Sequence, residues 1–186
     1  MIVTAETLEI FPRDEFFLQV PSSSGVGSLK VLIPADVTDA YVQGMNDPNV
    51  TMWLEGVKSN TQTFETIKEY VQHNLDDPDS ALLGFYLNKT LRGTVRLHEL
   101  NRSERSVTMG IALFDKSVWG LGFGWRLIKI VSNAAFETGL IDQIDAGIDE
   151  KNVASQRAFQ KAGFRSKGNE TYAYNYGNAL KFMKRI

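Results

Sequence analysis

The chain has 186 residues, 43% of them hydrophobic and 23% charged, with a formal net charge of −2. That size and balance suit one globular domain and argue against broad electrostatic binding to nucleic acid or to an anionic membrane. There is no cysteine, which removes disulfides and a thiol nucleophile and accords with a reducing, cytoplasmic setting.

The N-terminus has no basic segment followed by an apolar core, and no apolar run is long enough to span a bilayer. Residues 16–20 read as a short strand, 21–28 as a turn and 29–34 as a second strand, a candidate hairpin. Residues 1–28 are expected to be an N-terminal extension beside a domain over 29–186. A helix is expected over 36–45, with Val37, Ala40, Tyr41 and Met45 on one side, and Asn46-Asp47-Pro48 should end it. A longer helix follows over 63–74, striped by Ile67, Tyr70 and Val71, with Thr63 as N-cap and His73 on its solvated surface. Strand-like runs at 81–87, 94–100 and 107–114 are separated by short turns, which favours antiparallel hairpins. A glycine-rich turn then leads into a mostly apolar, buried helix over 124–138 that stops at Gly139. A strand over 141–148, a helix over 152–162 closed by Gly163 and two tail strands around Gly177-Asn178 complete the chain. The expected fold class is α/β: one domain with a central mixed, mostly antiparallel sheet flanked by about four helices. His73 and His98 lie far apart and no metal motif is visible, so no metal is expected.

Residues 119–124 read Trp119, Gly120, Leu121, Gly122, Phe123 and Gly124, at the junction of a strand and the buried helix. The glycines permit positive φ and a close approach to the backbone, and the free N–H groups of the helix start attract an anion. A dinucleotide fingerprint would need glycine where Trp125 stands, and a nucleoside-triphosphate loop would need Gly-Lys-Ser or Gly-Lys-Thr. The pyrophosphate turn of an acyl-CoA transferase remains, beside a plain glycine turn without ligand. Downstream, Asn152, Ser155 and Phe159 recur at helical spacing along one edge. Asn152 serves there either as an N-cap or as an amide partner for an extended ligand.

The two segments WGLGFGWRL and NVASQRAFQKAGF, in this order, resemble the GNAT superfamily of acetyl-CoA-dependent N-acetyltransferases. The segments VTDAYVQGMNDPNV and MGIALFDKSVWGLGFG resemble two branches of it. One acetylates ribosomal-protein amino termini; the other, closer, acetylates amino groups of nucleotide-linked sugars. The resemblance implies acetyl-CoA as co-substrate and direct attack of an amine on the thioester. The turn at 119–124 would hold the pyrophosphate, the backbone near Ile111 and Leu113 would pair with the pantetheine, and Asn152, Ser155 and Phe159 would lie beside its arm. The expected acceptor is a small-molecule amine, first an amino sugar; a protein N-terminus or another small amine is the alternative, and a non-catalytic acyl-CoA-binding module the further one. Pairing of the tail strands into a homodimer is compatible with this reading.

An alkylammonium has a pKa of about 10.4 and an α-amino group about 8, so a base assists attack. Many relatives place a glutamate two residues before the strand glycine, here Gly110; this chain has Thr108. His98 and Glu99 are the candidates, at most one of them, because strand alternation sends them to opposite faces; Asp149 and Glu150 are weaker ones. Many relatives also carry an acid tyrosine where Phe159 stands, which leaves Tyr172, Tyr174 and Tyr176 as hydroxyl sources.

Overall fold

A computed structural model describes residues 17–22, 25–58, 60–174 and 177–186. In chain order these form β1 (Phe17–Ser22), β2 (Gly25–Val31), α1 (Asp39–Met45), α2 (Pro48–Thr51), α3 (Glu55–Lys58), α4 (Phe64–Asp76), β3 (Ala81–Leu87), β4 (Thr90–Asn101) and β5 (Ser106–Ala112). They continue with α5 (Phe123–Glu137), β6 (Gln143–Asp149), α6 (Val153–Lys161), β7 (Arg165–Tyr174) and β8 (Gly177–Arg185). The strands make one sheet in the order β1-β2-β3-β4-β5-β6-β8-β7. Every neighbouring pair is antiparallel except β5 with β6. The architecture is therefore a mixed, mostly antiparallel α/β sheet, with α1, α4, α5 and α6 as its longer helices.

Alternation along the central strands feeds two cores. Leu83, Phe85, Val95, Leu97, Val107 and Met109 meet Phe123, Leu127, Ile128 and Val131 of α5 and Phe159 of α6. On the other face Leu82 and Leu91 meet Tyr41 of α1, Ile67 and Val71 of α4, and Phe114, whose ring stacks on Tyr41 at 4.5 Å. Burying aliphatic and aromatic side chains of this size contributes roughly 1.5–3 kcal/mol each, so the sheet is clamped from both sides over β3 to β5.

Several boundaries differ from the sequence reading for local reasons. Residues 34–36 form a 3-10 turn, and α1 starts only at Asp39 because Thr38 caps it by accepting from Tyr41 N–H. Pro48 ends α1 as expected but also opens α2, at the helix start where its missing N–H costs nothing, with Asp47 as cap. β4 begins at Thr90 rather than 94: Asn88 and Lys89, both at positive φ, make a two-residue hairpin turn without glycine. β7 begins at Arg165, with a register shift between Ser166 and Thr171. Residue 28 lies inside β2, which pairs with β3, so the sheet continues across the boundary drawn there; residues 1–16 lie outside the described residues. His73 is exposed on α4. No helix among the described residues is long and apolar enough to cross a membrane.

Candidate active site

β5 and β6 are paired only at Ser106 with Gln143, Val107 with Ile144 and Thr108 with Asp145. Beyond that point β5 runs on to Ala112 and β6 to Asp149 without pairing to each other, so the two parallel strands part into a fork. Backbone groups on such edges need partners from elsewhere. Ile111 and Leu113 lie on the β5 side of the fork, half-buried, with side chains packed on the main core. One partner is already supplied by the chain: the Trp119 indole N–H donates to the Leu113 carbonyl at 2.8 Å.

The glycine turn sits at the open end of β5. Gly120 and Gly122 have φ of +72° and +79°, the left-handed region where a Cβ would be strained. Gly122 is the N-cap of α5 and has no side chain to satisfy the first-turn amides. Those N–H groups and the positive helix end are therefore open to an anion. Trp119 and Leu121 are exposed, whereas the Phe123 ring is buried against Phe85 at 4.9 Å, leaving Phe123 only its backbone to offer a ligand. α6 passes beside Gly124, where a Cβ would make ordinary contact with the Ala158 Cβ at 3.8 Å. Two cations missed in the sequence flank the turn. Arg126 donates to the Gly122 carbonyl at 2.9 Å, and its guanidinium lies 4.7 Å from the Trp125 ring centroid, with the Lys161 ammonium 4.6 Å from the same ring. Trp125 thus carries two cation–π contacts. Lys161 is a helix away in sequence, which is why no local signal linked it to the turn.

Across the fork, Asn152 caps α6, its side-chain oxygen accepting from Ser155 N–H at 3.1 Å. Ser155 is half-buried beside it. Phe159, on the same stripe, is 2% exposed and packs edge-on against Phe164 at 4.9 Å, so its ring is enclosed by the core. Asp149 and Glu150 build the β6–α6 turn: the Asp149 carboxylate accepts from Lys151 N–H, and both carbonyls accept from Gln156. The side chains of Tyr172 and Tyr174, and all of Tyr176, lie outside the described residues.

The expectation that His98 and Glu99 face opposite ways is overturned. The β4–β5 register breaks between His98 and Asn101, and Glu99 takes φ of +57°. This bulge cancels the alternation. Both side chains come to the same place: Thr108, opposite His98 in the ladder, donates its hydroxyl to Glu99 Oε2 at 3.1 Å, and His98 Nδ1 lies 3.7 Å from that oxygen. Glu99 keeps 68% of its side chain exposed and His98 only 19%. Burial pushes the His98 pKa below its ordinary value, Arg96 adds to this, and Glu99 and Asp77 oppose it. Next along the row, at the point of the fork, Asp145 is buried; Gln143 Nε2 donates to its two oxygens at 2.9 and 2.8 Å, and Lys181 lies 3.6 Å away. Asp145 escaped the sequence reading because it alternates with core residues of β6 and has no motif of its own.

A cavity of about 360 Å³ opens among α1, α2, α3 and the segment leading to α4. Asn46, Thr51, Asn60 and Thr61 give it amide and hydroxyl groups, and Met45 and Met52 give it thioethers. Among the described residues no group of three or more His, Asp or Glu is arranged to hold a metal ion.

Two parallel strands thus part beside an uncapped, glycine-led helix start. Residues 29–165 match the acetyltransferase (GNAT) domain family, and the chain belongs to that family. A protein of Bacillus subtilis (strain 168) named Probable N-acetyltransferase YjcK is 26% identical over 145 residues, 73% of this chain and 80% of that protein. Among solved structures, a spermidine N-acetyltransferase from Vibrio cholerae, in complex with CoA and spermine, superposes with a TM-score of 0.73 at 18% identity, over 86% of this chain and 95% of that one. RimL, a ribosomal-protein α-N-acetyltransferase in complex with coenzyme A, gives 0.77 at 16% identity, over 91% and 98%. At these identities the solved structures share the fold.

Proposed function

We propose that this N-acetyltransferase takes its acetyl group from acetyl-CoA lying in the β5–β6 fork and passes it to the amine of a small, hydroxylated acceptor, an amino sugar first. The observation that carries the reading is the fork itself, opening beside the uncapped start of α5. In this reading the pyrophosphate rests on the backbone of residues 119–124, with Arg126 and Lys161 supplying positive charge nearby. The pantetheine runs along Ile111 and Leu113, and the Trp119 indole gives up the Leu113 carbonyl to it. Asn152 and Ser155 border the arm from α6, and Phe159 supports that helix from within the core. The amine attacks the thioester carbon directly, helped by the His98–Glu99 pair, and no residue of the chain forms a covalent intermediate.

The cavity at α1–α3 points to the acceptor class. Its described lining is uncharged, amide, hydroxyl and thioether groups beside the apolar Pro48 and Val57, which suits a hydroxylated sugar better than a polycation or a diphosphate, whose seats would carry Asp and Glu or Arg and Lys. Calorimetric titration with acetyl-CoA, followed by thiol release on glucosamine, a nucleotide-linked amino sugar, spermidine and an alanine-initiated peptide, tests the whole reading. Turnover on the sugars is expected. Preference for spermidine or the peptide would overturn the acceptor assignment, and tight CoA binding with no turnover on any of them would leave a binding module.

A further inference from the structure

Glu99 is an unusual residue to find in the left-handed region. A residue with a Cβ pays roughly 1–2 kcal/mol to be there, and Glu99 does so at φ +57° where His98 before it and Leu100 after it are ordinary strand residues. Regular pairing would have pointed Glu99 to the α5 side of the sheet, between the core positions of Leu97 and Val107, where a carboxylate would lose its water without a partner. The bulge carries it to the other face instead. There it accepts the Thr108 hydroxyl at 3.1 Å. Thr108 is also the last β5 residue paired with β6, so the carboxylate is tethered at the apex of the fork. It is tethered yet largely exposed, as a group that must meet a substrate has to be.

We propose that Glu99 is the catalytic proton acceptor of this transferase, presented by the β4 bulge and held by Thr108, with His98 as a positioning residue behind it. The proposal rests on the acetyltransfer reading above and assigns its missing base. The Glu99 carboxylate is delivered to Thr108 on β5 from the neighbouring strand. His98 is a poorer candidate, because its side chain is the more enclosed of the two and burial, with Arg96, lowers its basicity. The step balances as follows. The acceptor ammonium gives one proton to the Glu99 carboxylate, which passes it to water. The freed nitrogen lone pair forms the N–C bond at the thioester carbonyl, the C–S bond breaks, and the second proton lost by nitrogen ends on the CoA sulfur. One acetamide, one CoA thiol and one proton result.

The test uses whichever of glucosamine, the nucleotide-linked amino sugar, spermidine or the alanine-initiated peptide the wild-type chain turns over. Glu99→Gln keeps an acceptor for Thr108 and should lower kcat by about 10²–10⁴, with the acetyl-CoA Kd within about twofold of wild type. Its rate should rise about tenfold per pH unit towards the acceptor's own pKa, because only pre-formed free amine reacts, whereas the wild-type profile flattens at lower pH. Thr108→Val should lower kcat by about tenfold, and His98→Gln by less than about fivefold. Glu99→Asn, which tolerates the left-handed region, controls for folding through its thermal midpoint and should be as inactive as Glu99→Gln. Activity of both Glu99 variants within threefold of wild type, or the large loss falling on His98→Gln, would overturn the assignment while leaving the acetyltransfer reading intact. Absence of wild-type turnover on every probe would instead sink the parent reading and the base with it.

Discussion

Both ends of β5 depend on backbone in the left-handed region, and they reach it with different residues. At the exit end, Gly120 and Gly122 take φ of +72° and +79° and lead into α5. At the entry end, across the hairpin in β4, Glu99 takes +57° with a full side chain. The glycines enter that region at little steric cost and leave the α5 amides open, so the exit end is shaped for a ligand that meets backbone. Glu99 enters it at a cost and thereby places one functional group, so the entry end is shaped for a ligand that meets a side chain.

Substitution at Gly122 should have the largest effect. A Cβ there would lie 2.5 Å from Arg126 Nη1 and 3.1 Å from the Trp125 indole nitrogen, in a backbone conformation that L side chains resist. Gly122→Leu should weaken acetyl-CoA binding at least about 100-fold by calorimetry, combining that strain with loss of the open helix start. Gly139→Ala is the matched control. It has φ of +71° with nothing within 4 Å of a new Cβ, so it should cost about 1 kcal/mol of stability and leave acetyl-CoA affinity unchanged. Equal losses of affinity in both variants would mean that the exit end binds no cofactor.

The entry end can be broken in two directions by one pair of variants. Glu99→Gly relieves the left-handed strain and Glu99→Val worsens it, since a branched Cβ is least tolerated there. Urea unfolding should separate the two by about 1–2 kcal/mol, with Glu99→Gly the more stable, while both lose turnover. If Glu99→Val matched Glu99→Gly in stability, the bulge would not be holding Glu99 where it is.

The same contrast explains what could be read in the sequence. The exit end was legible because glycine spacing encodes positive φ directly, and the helices around it followed from apolar stripes and from caps such as Thr63 and Asn152. The residues at the entry end were nameable but their arrangement was not: His98-Glu99 reads as two alternating strand positions, and nothing local announces a non-glycine bulge. Asn88 and Lys89 hid a tight turn in the same way, and β4 was read four residues short. Lys161 and Asp145 became visible only once distant elements were brought together, whereas Arg126 belongs to the turn's own segment and carries no motif that marks it. The short helices at 48–51 and 55–58 were missed because four residues are too few to show a period.

Asn152 offers a smaller test of the cofactor side. Its oxygen caps α6, so Asn152→Ala should cost about 1 kcal/mol in urea unfolding. Asn152→Asp keeps the cap, exchanges the amide N–H groups for a charged carboxylate, and should unfold like wild type. If those N–H groups also meet the pantetheine, both variants should weaken acetyl-CoA binding by about tenfold. Wild-type affinity in Asn152→Asp would reduce Asn152 to a cap.

The smallest expected effect is a pH dependence at the entry end. Burial holds the folded His98 pKa below its ordinary value, with Arg96 acting in the same direction. The unfolded imidazole takes up a proton at its ordinary pKa of about 6.5, where the folded one still resists it. The stability involved is therefore fully present above about pH 6.5 and is lost progressively as the pH falls from there through the lower, folded value. Thermal midpoints of the wild type should drop over that acid window, and His98→Gln should drop less. Glu99 and Asp77 are the two groups that oppose the shift, so removing the Glu99 charge must act in the reverse sense. Glu99→Gln should steepen the acid loss, because the imidazolium then forms in the folded chain with one counter-charge fewer. A parallel pH profile in all three proteins would mean that His98 and Glu99 do not interact in solution, and the bulge would then hold Glu99 to Thr108 alone.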